Sequence, residues 1–359
     1  MGRALMLIIR QEHRDPSIGI DVGNEVYAVT FSANGEYLLS GGPGGVRVWR
    51  VEDRTQVARM GARYGYVSCL AVSKDGRWIA AGTDWGELFV WDAKTHKQVF
   101  KHWEDSQDIN GVDFSPDSTR LVSASDNYIA TIWDIPTGER VQTLRHDNSL
   151  RAAKYSPQGD RIATATKYCI RVWDSKDGRL LLDIKVGVTP YYNSGLLWSH
   201  NHLFAISIRK IKEIDASTGS AVSEWSVLDS DYCSYIALPK HEEFIAYSAK
   251  RTVTFWDTSS HIQLGHIRHP QGILSTALSP DDEFIAIGGE GGKVCLSRII
   301  VSVLFRLIVE HTSNSDLCSR RIRSLCLIYT QYSRKQSLRS MTPCSTHGSS
   351  ISSRTRTHH

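Results

Sequence analysis

The sequence predicts an all-β ring of seven four-stranded antiparallel sheets, a seven-bladed propeller. Three observations predict it: apolar runs ending in a large residue return at near-constant intervals, residues within them alternate with period two, and turn residues sit at fixed offsets between them. The runs end at Trp49, Trp91, Trp133, Trp173, Ile214, Trp256 and Leu296, with spacings of 42, 42, 40, 41, 42 and 40 residues. A period near forty holds four short strands with their turns, which is one blade, so seven anchors give seven blades within residues 1–300. At 359 residues the chain is long for one compact core but normal for a repeat-built unit, where each element covers its neighbour.

The third unit shows the grammar most clearly. Ile109–Phe114 reads as a strand, Ser115-Pro-Asp-Ser118 as a turn, Leu121-Val-Ser-Ala124 as the second strand and Ser125-Asp-Asn127 as a tight turn. Ile129-Ala-Thr-Ile-Trp133 follows as the third strand, and Asp134–Gly138 turns the chain into Val141-Gln-Thr-Leu144, the outer fourth strand. Trp-Asp endings recur at 91–92, 133–134, 173–174 and 256–257. Phe31-Ser-Ala-Asn-Gly35, Tyr155-Ser-Pro-Gln-Gly159, Ser73-Lys-Asp-Gly76 and Ser279-Pro-Asp-Asp282 are versions of one turn.

On these residues the chain, over roughly 5–298, resembles the WD40 repeat family. The resemblance implies a hydrogen-bonded network of His, Ser or Thr, Asp and Trp in each blade, matched in the third by His102, Ser123, Asp126 and Trp133. Such a His/Asp/Ser trio is structural, because its hydroxyl is used inside a blade. The second blade keeps Asp84 and Trp91 without a clear Gly-His, and the fourth keeps His146, Thr164 and Trp173 but carries Lys167 near the expected Asp. In the fifth, Ile214-Asp215 replaces Trp-Asp and Val188–His202 departs from the usual turn, which predicts lower local stability there.

An unpaired apolar edge invites aggregation, so the ring is expected to close with a strand borrowed from the other end of the chain. Leu5-Met-Leu-Ile-Ile9 has the length and β propensity for the outer strand of the last blade, and Val301–Val309 is its rival. The N-terminal strand is preferred because the repeat grammar breaks after Leu296-Ser-Arg298. Residues 301–359 read as a basic, Ser-rich tail, either disordered or a gene-model artefact such as read-through into non-coding sequence.

The formal charge of +4 is concentrated in that tail: residues 310–359 carry +6, which leaves about −2 for the rest. A nearly neutral body disfavours nucleic-acid recognition. Membrane binding is disfavoured too, since the paired-arginine Phe/Leu-Arg-Arg-Gly motif of phosphoinositide-binding propellers is missing and Arg320-Arg321-Ile-Arg323 lies in the tail. Phosphoinositide or nucleic-acid binding stays as an alternative. Leu5–Ile9 is too short for a secretory signal and the eleven residues Ile299–Val309 for a bilayer span, so the expectation is a cytoplasmic or nuclear protein, cytoplasm preferred, and not secreted. The seven cysteines form no close CxxC pair, which argues against a metal cluster or disulfide framework.

No GxxxxGK[ST], HExxH or GxSxG occurs, and Gly41-Gly-Pro-Gly-Gly45 and Gly288-Gly-Glu-Gly-Gly292 lie between β runs rather than before helices. The expectation is a non-enzyme without cofactor or metal, a scaffold or adaptor for one or more proteins or peptides, with no homo-oligomer implied. In the related propellers the loops entering a blade and those joining its second and third strands share one face. That geometry collects Tyr64, Tyr66, Trp85, Trp103, Tyr128, Lys167, Tyr168, Tyr191 and Tyr192 as partner-binding candidates. The second blade, Ile79–Asp84 through Phe89–Lys94, also resembles the box by which some propellers dock on the adaptor of cullin-RING ubiquitin ligases. Asp84, Asp92 and Lys94 are then the adaptor contacts, beside Trp91, and a substrate receptor is the alternative function.

Overall fold

The computed structural model describes residues 6–10, 19–62, 65–103, 107–186, 195–207, 209–227 and 234–302. Residues 303–359 lie outside the described residues. Seven antiparallel sheets follow one another along the chain, arranged as a propeller. In blade one the strands, from first to outermost, are Ala28–Phe31, Tyr37–Gly42, Gly45–Arg50 and Gln56–Met60. Blade two is Val67–Val72, Trp78–Thr83, Glu87–Asp92 and Gln98–Trp103. Blade three is Ile109–Phe114, Arg120–Ser125, Ile129–Asp134 and Arg140–Arg145, and blade four Leu150–Tyr155, Arg161–Thr166, Cys169–Asp174 and Leu180–Lys185. Blades five, six and seven begin at Leu196, Ser234 and Ile273 with the same strand order.

The recurring turn residues act through their oxygens. Between first and second strands, the hydroxyls of Ser32, Ser73, Ser115, Ser156 and Ser279 each accept the amide five residues on, at 2.8–3.0 Å. That bond closes the turn together with the backbone bond from the serine amide to the carbonyl of the same residue. The Asp of each Trp-Asp ending, and Asp215 after Ile214, serves the next turn: Asp92, Asp174, Asp215 and Asp257 accept amides two and three residues downstream, and Asp134 accepts the amide and hydroxyl of Thr137. Hydrogen bonds from Ser217 and Thr218 pull the Asp215 carboxyl down to about 2.

One irregularity repeats on the rim. In blades one to six the outer strand leaves one residue out of register opposite the end of the third strand: Val57, Val99, Val141, Leu181, Val222 and Leu264. Each is a β-bulge, an extra residue that bends the edge strand.

The core is a set of seven apolar clusters, each spanning two neighbouring blades. The seam between blades seven and one contains Ile20, Val26, Val29, Phe31, Leu38, Trp49, Ala286, Val294 and Leu296. Burying each such side chain contributes about 1.5–3 kcal/mol, so the ring is completed by packing.

This corrects the expected closure. No sheet is closed by hydrogen bonds, and each is an open ladder. Beside the start of the last third strand, Ile20 and Asp21 pair with Val294 and Lys293, the positions an outer strand occupies in the other blades. Met6–Arg10 pairs instead with Arg298–Ser302, where that strand runs on past the usual length, and the seventh sheet has five strands rather than four. The physical reason is burial: Ile20 fits the closing seam, 3% exposed, and takes the place assigned to Leu5–Ile9.

Blade five departs from the others in its core. Its third strand carries Glu213 where the register gives Val48, Val90, Ile132, Val172 and Phe255 elsewhere. The buried carboxylate is held by His202, by the Ser223 hydroxyl at 2.6 Å and by His261 of blade six at 3.9 Å, and the His261 ring stacks on Trp225 at 4.2 Å. Of the unusual turn expected within Val188–His202, residues 188–194 lie outside the described residues.

Candidate functional site

On one face lie the turns between second and third strands and the loops entering each blade. In blade two the Thr83 hydroxyl accepts the amides of Trp85 and Glu87 at 3.4 and 2.9 Å, and Gly86 sits at φ +74°. The turn is therefore fixed from beneath and leaves the Trp85 ring 52% exposed. Trp103 ends the outer strand of the same blade, donates its indole N–H to the Trp85 carbonyl at 3.0 Å, and is 66% exposed. Gly65, at φ +66°, passes so close that a Cβ would meet Asp84 Oδ1 at 2.0 Å and Trp85 Cδ1 at 2.6 Å; only glycine fits.

Next to this pair, Asp84 accepts the Tyr66 amide at 2.7 Å, and Pro43 and Tyr66 form an isolated bridge between blades one and two. The Tyr66 ring stacks on Tyr27 at 4.1 Å, and the Tyr27 hydroxyl donates to Glu25. Tyr128 stands at the apex of the blade-three turn at φ +68°, the conformation that Gly86 and Gly292 adopt in blades two and seven, and its ring is half exposed. In blade four the Thr166 hydroxyl accepts the Tyr168 amide at 3.2 Å, and the Lys167 ammonium lies 5.8 Å from the centre of the exposed Tyr168 ring.

The electrostatics of this rim are acidic. Burial pushes the Asp84 carboxyl above the usual carboxylate range, and burial together with the nearby Asp126 and Asp84 does the same for Asp108. Asp126 accepts the Asn110 amide at 2.6 Å and pairs with Arg151 at 3.2 Å.

Trp85 and Trp103 are thus in direct contact, Tyr66 lies beside them, and Tyr128 and Tyr168 stand on the next two turns. Tyr64, Tyr191 and Tyr192 lie outside the described residues. Sequence reasoning missed Tyr27 and Glu25, although Tyr27 precedes its blade's first strand just as Tyr66 does.

The expected blade-three network is divided. Trp133 donates to the Ser123 hydroxyl at 2.9 Å, but His102 stacks on Trp133 at 4.3 Å and bonds the Gly138 carbonyl at 2.6 Å, while Asp126 is engaged with Asn110 and Arg151. The reason is position: His102 belongs to the outer strand of blade two, not to the loop after it. Blade four, by contrast, joins His146, Thr164 and Trp173 through one hydroxyl, at 3.0 and 2.7 Å.

The ligase-adaptor residues flank the two ends of one strand of blade two. Asp84 lies at the start of the Glu87–Asp92 strand and bonds Tyr66, whereas Asp92 lies at its far end and is occupied by the amides of Lys94 and Thr95. Among the described residues no group of three or more His, Cys, Asp or Glu is placed to hold a metal ion, and no helix is long and apolar enough to cross a membrane. Burial pushes the Cys69 thiol up to about 12, and Cys69, Cys169 and Cys295 are free thiols.

The family model for the WD domain, G-beta repeat, matches residues 20–50, 55–92, 94–134 and 138–174. Similar proteins include the U3 small nucleolar RNA-associated protein 15 homolog of Xenopus laevis, 26% identical over 229 residues, which is 62% of this chain and 44% of that protein. WD repeat-containing protein 18 of Danio rerio is 24% identical over 276 residues, 69% of this chain and 63% of its own length. Protein groucho of Drosophila melanogaster is 22% identical over 304 residues, 77% of this chain and 39% of its own length. The chain spans less than two thirds of each of these relatives. With four matched repeats over residues 20–174 and seven sheets of common strand order, the chain carries WD40 repeats and folds as a seven-bladed β-propeller.

Proposed function

We propose that this propeller is a non-catalytic scaffold that seats protein or peptide partners on the turn face of blades two to four. The observation that carries the reading is the group Trp85, Trp103, Tyr128 and Tyr168: four large rings, each about half exposed or more, with Trp85 and Tyr168 on turns held by the Thr83 and Thr166 hydroxyls and Trp103, at the end of its strand, bonded to the Trp85 carbonyl. Rigid amphipathic rings on an ordered frame lose little entropy on binding and are typical anchors of protein contacts. Tyr128 adds a second argument. A non-glycine residue in the left-handed region costs about 1–2 kcal/mol, which glycine at the same turn position avoids in blades two and seven.

The test follows from that cost. Tyr128→Gly is expected to leave the melting temperature unchanged or higher while weakening capture of a partner recovered with the full chain, and Trp85→Ala with Trp103→Ala is expected to abolish capture with the circular dichroism of the ring intact. Undiminished capture by the double tryptophan variant would remove this face from the function. The ligase-receptor reading has less support, since the carboxylates of Asp84 and Asp92 are used within the blade. It is tested by whether Lys94→Glu loses a cullin adaptor recovered with the chain.

A further inference from the structure

The turn face of blade two joins two exposed indoles to an excess of carboxylate. Trp85 and Trp103 are locked to each other by the 3.0 Å hydrogen bond, so their rings present a fixed apolar surface. Around them stand Asp84 in the same turn, Asp108 entering blade three, Asp126 in the next turn, whose amide bonds the Asp108 carbonyl at 2.9 Å, and Glu25 beyond the Tyr27–Tyr66 stack. Among the described residues the nearby cations are already engaged: Arg151 with Asp126 at 3.2 Å, Lys101 with the buried Glu87 at 2.5 Å, and Arg59 with the Gly44 carbonyl at 3.2 Å.

We propose that the segment seated on this surface is cationic, a stretch of a protein partner in which Lys or Arg lies over the Trp85–Trp103 pair with its charge toward Asp84 and Asp108. The proposal rests on the scaffold reading above and adds the chemistry of the partner. A guanidinium or ammonium suits both halves of the surface: its stem covers an indole face, its charge is attracted by the ring quadrupole, and its N–H groups meet carboxylate oxygens. The raised Asp84 and Asp108 carboxyls fit the same picture: burial, with neighbouring carboxylates adding to it, disfavours their ionisation, and a cation seated beside them would offset that cost. Lys167 bounds the acidic stretch at blade four, so the footprint covers blades two and three. A polyanion such as RNA would meet the same carboxylates as repulsion.

The test uses the full chain and defined probes: labelled Gly-Ser peptides identical except for Arg, citrulline or Glu at alternate positions, and a single-stranded RNA oligonucleotide, read by fluorescence anisotropy. The Arg peptide is expected to bind saturably and to weaken as salt is raised. The citrulline peptide, which keeps shape and loses charge, is expected to bind about tenfold or more weaker. Asp84→Asn with Asp108→Asn is expected to cost the Arg peptide a similar factor without changing the fold, since Asn at 84 still offers an oxygen to the Tyr66 amide. Equal binding of Arg and citrulline peptides, tighter binding of the Glu peptide or the RNA, or binding of none of them would overturn the proposal. The two readings separate cleanly. If the double tryptophan variant loses its recovered partner while Arg and citrulline peptides bind alike, the scaffold stands and the cationic partner falls. If that variant keeps its partner, the scaffold reading itself falls.

Discussion

Thr164→Val in blade four is the substitution whose cost the structure defines most sharply. The Thr164 hydroxyl accepts the indole N–H of Trp173 at 2.7 Å, contacts His146 Nε2 at 3.0 Å and lies 3.2 Å from the Arg171 carbonyl. All valences close if the hydroxyl donates to Arg171 and receives both rings, which places the imidazole proton on Nε2 and leaves Nδ1, buried without a partner, as a bare lone pair. Valine keeps the shape and deletes the oxygen, so two buried N–H donors lose their acceptor together. Each costs about 1–3 kcal/mol, giving about 2–6 kcal/mol in all. Ser40→Ala in blade one and Ser123→Ala in blade three free only one indole each and are expected to cost about half as much. Urea midpoints followed by circular dichroism measure the series, with Thr164→Ser as the control that keeps the hydroxyl. A Thr164→Val variant within about 0.5 kcal/mol of wild type would refute the assigned network.

The same site predicts an acid sensitivity. Burial, with the Arg171 charge adding to it, lowers the His146 imidazole from 6.5 to about 4, so between those values the unfolded chain binds the proton that the folded chain refuses. The stability from a neutral His146 is complete above about pH 6.5 and is lost as pH falls toward 4, by about 3 kcal/mol; melting curves of wild type against His146→Leu should converge or cross over that window, and parallel curves would contradict it. At the closing seam, a Cβ on Gly288 would lie 2.7 Å from Val26 Cγ1 and 3.0 Å from Val29 Cγ1. Gly288→Ala is therefore expected to destabilise by about 1–3 kcal/mol in a denaturant titration, whereas Gly61→Ala, with nothing within 4 Å of its Cβ, stays within about 0.5 kcal/mol.

What the sequence made legible was local chemistry repeated in register. The Ser hydroxyl at the head of a turn and the Asp after a tryptophan act on amides two to five residues away, so their spacing is visible without knowledge of the fold. Trp85, Trp103, Tyr128 and Tyr168 could be placed on one face for the same reason, because position within the repeat decides which end of a blade a residue occupies. The errors came where distant segments compete. Leu5–Ile9 and Ile20–Asp21 both carry β propensity, and the choice between them was made by the seam that Ile20 fills, which no local pattern encodes. The family pattern matches His102 to a network with Asp126, but the outer strand of blade two extends through Trp103 and carries the ring onto Trp133 instead. Glu213 is a further case: its carboxylate is compensated by His202 of its own blade and His261 of the next, a pairing across 48 residues for the second.

The displaced residues Val57, Val99, Val141, Leu181, Val222 and Leu264 bear on how recruitment can occur. A foreign strand laid along any of these perimeters would find its hydrogen-bond spacing interrupted at the second residue of the edge strand, so lateral addition of the kind that feeds fibrils or extends other sheets is discouraged six times over. Associates are steered away from the circumference and toward the ends of the blades, where identity is conveyed by side chains instead of main-chain pairing. A molecule built this way can change what it holds by substituting a few apical residues, with the wheel beneath them left as it is.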